Sequence, residues 1–368
     1  MKFSTTNSGI SNQRLDIHER GKMMNENKHI LEVEDLRVSY HTYAGEVKSV
    51  RGVSFYLEKG EALAIVGESG CGKSVTAKAI MGLIKGPQGE IKAGSEIRYN
   101  GNNILKYNKN QWKDYKGGEC AIIFQDALAA LNPTMRVGKQ IAENLMVHKQ
   151  MKKQEAAREA VEMLRRVGIP EPEKRVEQYP HEFSGGMRQR VMIAIAFACD
   201  PNLLICDEPT TALDVTIQGQ ILDIIKDLQE KRKVSVIMIT HDLGVVANIA
   251  QRIAVMYSGM IVESGSAKDI FYTPRHPYTW ALIQSVPRLD LENKQTLMSI
   301  PGTPPDLLEP PVGCPFCTRC SYCMPVCREA MPETTDFGEG HQAACWLHHP
   351  MAPKVDMPDF RGGKQHGR

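Results

Sequence analysis

The chain has 368 residues, long enough for one large domain with extensions, and 42% of them are hydrophobic, enough for a buried core. Its 45 Lys and Arg against 43 Asp and Glu leave a net charge of +2, which removes the electrostatic case for nucleic acid as a partner. The opening 28 residues are polar with no apolar stretch of the export-signal kind, and nowhere do about 18 apolar residues run together. The best apolar stretch, Val191–Ala198, is stopped by Cys199-Asp200-Pro201-Asn202. A chain that neither carries a secretory signal nor spans a bilayer is expected, with any membrane role exercised by docking.

Residues 1–28 are expected as a flexible leader. From Ile30, LEVEDLRVSY, SVRGVSFYLEKGE and ALAIVG read as strands, punctuated by Gly45 and Gly60. Ser74–Ile84 suits a helix, and SEIRYNGNNI a further hairpin strand. From about Trp112 to Gln189 the pattern is mostly helical, with one strand at AIIFQ. Leu203–Cys206 and Val234–Thr240 are short, largely apolar runs of the kind buried on both faces of a parallel sheet. These elements imply a parallel α/β core with a small antiparallel lobe and a helical insertion. From Pro301 six prolines fall within 15 residues, a stiff connector that leads into a Cys-rich segment and a Gly/Lys/His tail.

Gly67-Glu-Ser-Gly-Cys-Gly-Lys73-Ser74 matches the pattern G-x-x-x-x-G-K-[ST], after an apolar strand and at the start of a helix. Its glycines (Gly67, Gly70, Gly72) let backbone N–H groups around Ser69, Cys71 and Val75 turn inward on phosphate oxygens. Lys73 is expected at the β- and γ-phosphates of ATP, and the Ser74 hydroxyl at Mg²⁺. An apolar run ending in Asp207-Glu208 supplies a Mg²⁺ carboxylate (Asp207) and a water-polarising base (Glu208). His241 follows the strand VSVIMIT, at the strand end where ligands of open α/β sheets bind.

Phe183-Ser184-Gly185-Gly186-Met187-Arg188-Gln189 resembles the signature of ABC ATPases, usually LSGGQ, with Phe183 for Leu and Met187 for Gln. The resemblance covers about residues 30–285 and implies a P-loop NTPase fold with a RecA-like parallel core. It implies that Ser184, Gly185, Gly186 and Met187 contact the γ-phosphate held by a partner cassette. Gln125 is similar to the family's Mg²⁺-sensing glutamine, Ala212-Leu213-Asp214 to its D-loop, and His241 to its switch histidine. Tyr40 is similar to the aromatic that stacks on adenine, with Tyr43 as the competing candidate. The family's cassettes meet head to tail around ATP, so a second ATPase subunit, related or identical, is expected.

Farther on, Arg275-His-Pro-Tyr-Thr-Trp-Ala-Leu282, Ser299-Ile-Pro-Gly-Thr-Pro-Pro-Asp306 and Gly313-Cys-Pro-Phe-Cys-Thr-Arg-Cys320 resemble the ATPases of oligopeptide, dipeptide and nickel importers. That likeness implies import of di- or oligopeptides, with two permeases, an external peptide-binding protein, and a place on the cytoplasmic face of the membrane. Nickel or another small solute is the alternative cargo, and a soluble ABC ATPase outside transport the distant rival. The expected organisation is a cassette over 29–270 with a helical subdomain near 126–195, an extension over 271–350, and a disordered tail over 351–368.

Six of the ten cysteines lie within positions 314–345, which suggests metal ligation by soft thiolates. The subfamily resemblance implies a four-iron four-sulfur cluster on Cys314, Cys320, Cys327 and Cys345. A ferredoxin-like run (Cys317, Cys320, Cys323, Cys327, with Arg328 where Pro is usual) and a zinc site borrowing His341 or His348 stay open beside it.

Overall fold

The structure, a computed structural model, describes residues 28–211, 214–285 and 300–358. The expected leader up to residue 27, Ala212 and Leu213 of the expected D-loop, residues 286–299 and the tail from 359 lie outside these.

Strands β1 (His29–Thr42) and β2 (Gly45–Glu58) form a long antiparallel hairpin. The core strand β3 (Ala62–Val66) follows, buried at every residue, as its unbroken apolar sequence requires. Helix α1 (Lys73–Ile80) leads from it to β4 (Gly89–Ile91), β5 (Glu96–Tyr99) and β6 (Asn102–Asn103). These complete a lobe with strand order β2-β1-β5-β6 and β4 paired to β1. The helix stops four residues short of the expected end. Gly82 takes φ +58°, the Leu83 amide folds back onto the Lys78 carbonyl at 2.8 Å, and a Cβ at Gly82 would stand 2.4 Å from the Trp112 ring.

Between β7 (Cys120–Ile123) and β8 (Leu203–Asp207) lies the helical insertion, chiefly α2 (Val137–His148), α3 (Lys153–Arg166) and α4 (Gly185–Phe197). In α3 the buried residues are Ala156, Ala160, Met163 and Leu164, a single stripe at helical spacing, while charged residues take the other face. Helix α5 (Val215–Arg232) connects β8 to β9 (Ser235–Thr240), and β10 (Arg252–Tyr257) and β11 (Met260–Ser266) close the series.

With β12 (Thr334–Asp336) and β13 (Gln342–Ala344) at one edge, the main sheet runs β12-β13-β11-β10-β3-β9-β8-β7, its five members from β10 to β7 parallel. Alternation along β8 and β9 divides the interior into two cores. Leu204, Cys206, Val236 and Met238 face the helical insertion, whereas Leu203, Ile205, Ile237 and Ile239 face the lobe and α1. Each of these side chains except Cys206 contributes about 1.5–3 kcal/mol by burial.

The Cys-rich extension is sewn into this sheet. After α6 (Pro277–Gln284), the short strands β12 (Thr334–Asp336) and β13 (Gln342–Ala344) pair with each other, and β13 pairs antiparallel with β11 through Glu263–Ala343 and Ser264–Gln342. A third core joins Val66, Val255, Tyr257 and Tyr278 to Cys314, Phe316, Cys317 and Cys327. No helix among the described residues is long and apolar enough to cross a membrane.

Candidate functional site

The phosphate loop bridges β3 and α1, pressed between two backbones. Gly67 has φ +156° and a Cβ there would lie 2.0 Å from the Met256 carbonyl oxygen; Gly72 has φ +103° and its Cβ would meet the Ser49 carbonyl at 2.4 Å. Only glycine fits either position. Ser69 and Gly70 form the exposed tip, Cys71 is buried beneath it, and Val75 packs against the lobe-side core. Lys73 is buried, and its Nζ donates to the carbonyls of Gly67 at 2.8 Å and Glu68 at 2.9 Å. The ammonium therefore sits at the hollow of the loop that would receive phosphate.

Beside it the Ser74 hydroxyl donates to Asp207 Oδ1 at 2.7 Å. Burial raises the Asp207 carboxyl above its ordinary range, while the Ser74 bond pulls the other way. A dry carboxylate beside a hydroxyl is a hard-oxygen pair suited to Mg²⁺, whose charge would hold Asp207 ionised.

Glu208, one residue on, turns off the strand with φ +48° and donates its amide to the Ile239 carbonyl at 2.9 Å. Its Oε2 accepts from the Thr211 hydroxyl at 2.9 Å and from Gln125 Nε2 at 3.3 Å, and lies 3.4 Å from His241 Nδ1. Gln125 follows β7, Glu208 follows β8 and His241 follows β9, so three side chains widely separated in sequence converge at the C-terminal ends of parallel strands. Thr211 was not anticipated from sequence. The signal available was its place in the polar exit Glu-Pro-Thr-Thr after the Asp-Glu pair. A cavity of 680 Å³ lined by Lys59, Gln229, Lys233 and Gln251 lies at the opposite strand ends and holds none of these groups.

Ser184 N-caps α4, its Oγ accepting from the Met187 amide at 3.4 Å, with Gly185 exposed beside it. Among the described residues no hydrogen bond joins it to the phosphate loop of its own chain. Phe183 is buried in the helical core, which accounts for an aromatic at that position, and Gly186 packs on Ile217, where a Cβ would come within 2.8 Å. Asp214 caps α5 through the Ile217 amide at 3.0 Å. Tyr40 is half-buried in the lobe, paired across the sheet with Val47 and Gly89, while Tyr43 at the hairpin tip is fully exposed.

The cysteine expectation fares differently. All ten cysteines are free thiols, and among the described residues no three or more His, Cys, Asp or Glu are grouped so as to hold a metal ion. The expected iron–sulfur cluster and the zinc alternative therefore find no preformed site. The histidines that zinc would borrow are engaged: His341 Nε2 pairs with Glu263 Oε1 at 2.9 Å, and His348 Nε2 with the Arg275 carbonyl at 2.9 Å. Burial pushes Cys314 and Cys345 up to about 12 and Cys320 up to about 11, so these thiols stand protonated at neutral pH. Cys314, Cys317 and Cys327 pack in the third core as small hydrophobes.

Residues 50–211 match the ABC transporter family, and residues 262–327 match the C-terminal region of oligopeptide/dipeptide transporters. The oligopeptide transport ATP-binding protein OppD of Bacillus subtilis is 56% identical over 90% of this chain and 92% of its own length. The dipeptide transport ATP-binding protein DppD of the same organism is 53% identical over 88% and 96%. Among solved structures, cbiO1 of Clostridium perfringens, part of the ABC transporter complex cbiONQ, superposes with a TM-score of 0.56 at 26% identity, covering 67% of this chain and 91% of its own. Phosphate loop, acidic strand end and signature helix thus sit on the fold that these likenesses require, and the chain belongs to the ABC transporter ATP-binding proteins, in the branch that carries the oligopeptide/dipeptide C-terminal region.

Proposed function

We propose that this chain hydrolyses ATP to drive the import of di- and oligopeptides, as the nucleotide-binding subunit of a membrane transporter. The observation that carries the reading is the convergence of Gln125, Thr211 and His241 on one oxygen of Glu208, next to the Ser74–Asp207 pair. Peptide cargo rests on the relatives, since OppD and DppD are named for oligopeptide and dipeptide transport. Nickel or another solute has no comparable support.

In this reading the amides from Gly67 to Val75 and the Lys73 ammonium hold the β- and γ-phosphates, and Tyr40 stacks on adenine. Ser74, Asp207 and Gln125 would hold Mg²⁺, which when bound would supply positive charge to offset that of the phosphates. Glu208 accepts a proton from the attacking water, and His241 contacts the γ-phosphate. The exposed Ser184, with Gly185, Gly186 and Met187, offers a helix N-terminus to the nucleotide of a second cassette, and Asp214 serves as the D-loop residue. That second cassette is a related ATPase or a second copy. Two permeases receive the motion through the helical subdomain over about 126–195, an external binding protein delivers peptide, and the chain works on the cytoplasmic face.

An iron–sulfur cluster on Cys314, Cys320, Cys327 and Cys345 belongs with this proposal on donor chemistry alone. Thiolates are soft donors of the kind that iron–sulfur clusters take. Iron and sulfide assays on anaerobically purified protein test it, and an iron-free sample would remove it. For transport, the chain is reconstituted with its permeases in vesicles. Labelled di- or oligopeptide should accumulate only with ATP, and ATP consumption without any peptide uptake would overturn the cargo.

A further inference from the structure

The extension beyond residue 271 reaches back to the phosphate loop and holds one of its residues from several sides. Arg319, between Cys317 and Cys320, has a side chain only 3% exposed. Its Nη1 donates to Glu68 Oε2 at 2.5 Å and its Nη2 to Glu68 Oε1 at 2.9 Å, a two-pronged pair. The remaining donors are also placed: Nη1 to the Tyr257 hydroxyl at 3.1 Å, Nη2 to the Ile300 carbonyl at 3.1 Å, and Nε to the Pro301 carbonyl at 2.8 Å. All five N–H groups of the guanidinium are used, so its position is fully determined.

Glu68 is equally constrained. Its amide donates to the Tyr278 hydroxyl at 2.8 Å, its carbonyl accepts from Lys73 Nζ at 2.9 Å, and its carboxylate meets Arg319. Two of these three holds come from the extension. The proline connector continues the contact, with Pro304, Pro305 and Asp306 walling a 330 Å³ cavity whose other side is Glu68, Ser69, Gly70 and Cys71. Glu68 occupies the first variable position of the phosphate-loop pattern, directly after Gly67. A carboxylate there, left unpaired, would repel the phosphates of ATP.

We propose that Arg319 is a positioning residue for nucleotide binding: it neutralises Glu68 and fixes the start of the phosphate loop, so that the Cys-rich extension forms part of the ATP site. This rests on the reading of Gly67–Ser74 as that site. A guanidinium is needed because only a planar fork can engage both carboxylate oxygens while reaching two carbonyls and a phenol. The extension thereby gains a function in the ATPase itself, separate from any contact with the permeases.

The test is equilibrium binding of a fluorescent ATP analogue with Mg²⁺ to the full-length chain. Arg319→Gln should weaken affinity by about 5- to 150-fold, the usual range of coupling between sites. The double variant Arg319→Gln with Glu68→Gln should recover most of the loss, because the repelling charge is gone. An Arg319→Gln chain that binds as the parent does overturns the inference, and so does a loss that Glu68→Gln fails to restore, since that marks a mere structural brace. If the parent itself fails to bind the analogue, the reading of the ATP site falls instead.

Discussion

Two glutamates in this molecule are used in opposite ways. Glu263, in β11, is 1% exposed, and three donors saturate its carboxylate: the Arg275 amide at 2.6 Å, the His276 amide at 2.9 Å and His341 Nε2 at 2.9 Å. Glu208, at the end of β8, gathers its contacts on Oε2 alone at 2.9 to 3.4 Å, and none of them uses Oε1. The extension is therefore anchored by a carboxylate with both oxygens bonded, whereas the carboxylate proposed as the base for water keeps one oxygen outside these contacts. A saturated carboxylate gives stability; an unsaturated one, held in place by its neighbours, gives chemistry.

The largest expected effect breaks that contrast on the catalytic side. Glu208→Gln keeps the size and the contacts of the side chain but removes its proton affinity. Phosphate release from ATP should fall about 10²- to 10⁴-fold, while binding of a fluorescent ATP analogue persists. Hydrolysis at the parental rate would take the base role from Glu208. Next comes the anchor. Glu263→Ala strands two backbone amides and a histidine in a buried place, and should cost about 3 kcal/mol or more, read as a lower urea midpoint. Glu208→Gln should leave that midpoint nearly unchanged. Equal destabilisation by the two would show that both glutamates are structural.

This division also explains what the sequence discloses. The phosphate loop is legible because its geometry is local: a buried strand, glycines where Met256 and Ser49 press on the backbone, and a helix start, all within contiguous residues. Asp207 and Glu208 are legible for the same reason, at the exit of an apolar strand. Gln125 and His241 come by resemblance, although their convergence on Glu208 needs the strand order of the sheet. Thr211 escapes because a lone threonine in a turn carries no periodic signal. The attachment of the extension escapes more thoroughly. Pairing of β13 with β11 joins residues about eighty apart in sequence, and the Arg319–Glu68 pair spans 251. No local pattern encodes such partners. The cysteines are crowded in sequence, yet among the described residues they form no preformed metal site and three of them fill an apolar core.

A smaller effect sharpens the account of the anchor. His276 caps α6 through Nδ1, which accepts from the Tyr278 amide at 3.0 Å, and is fully buried with Nε2 unpartnered. Burial, aided by nearby His348, lowers its pKa to about 3. In the unfolded chain the ring takes up a proton as pH falls through its ordinary value of about 6.5. Between that value and about 3 the unfolded state binds the extra proton, so stability is present above and lost as pH falls. The contribution is at most about 1.4 kcal/mol per pH unit. His276→Asn keeps a capping acceptor and should flatten the fall in urea midpoint between about pH 7 and pH 5. An unchanged slope would place the acid sensitivity elsewhere.

The smallest expected effect concerns adenine, and it separates the two tyrosines of the hairpin. Tyr40 is half-buried and held by its neighbours: β1 places it opposite Val47 on one side and Gly89 on the other. A Cβ built at Gly89 comes within 3.2 Å of its ring, so the glycine makes room for the aromatic and limits where it can turn. A ring already ordered loses little entropy on stacking against a base. Tyr43 stands in the two-residue turn, fully exposed, and would have to be immobilised when nucleotide binds. Tyr40→Ala should therefore weaken binding of the ATP analogue by about 5- to 10-fold, at the low end of base–aromatic stacking. Tyr43→Ala should leave it unchanged, and Tyr40→Phe should bind as the parent does, because stacking needs the ring and not the hydroxyl. The reverse pattern, with the loss at Tyr43, would move adenine to the hairpin tip and make Tyr40 a packing residue of the lobe.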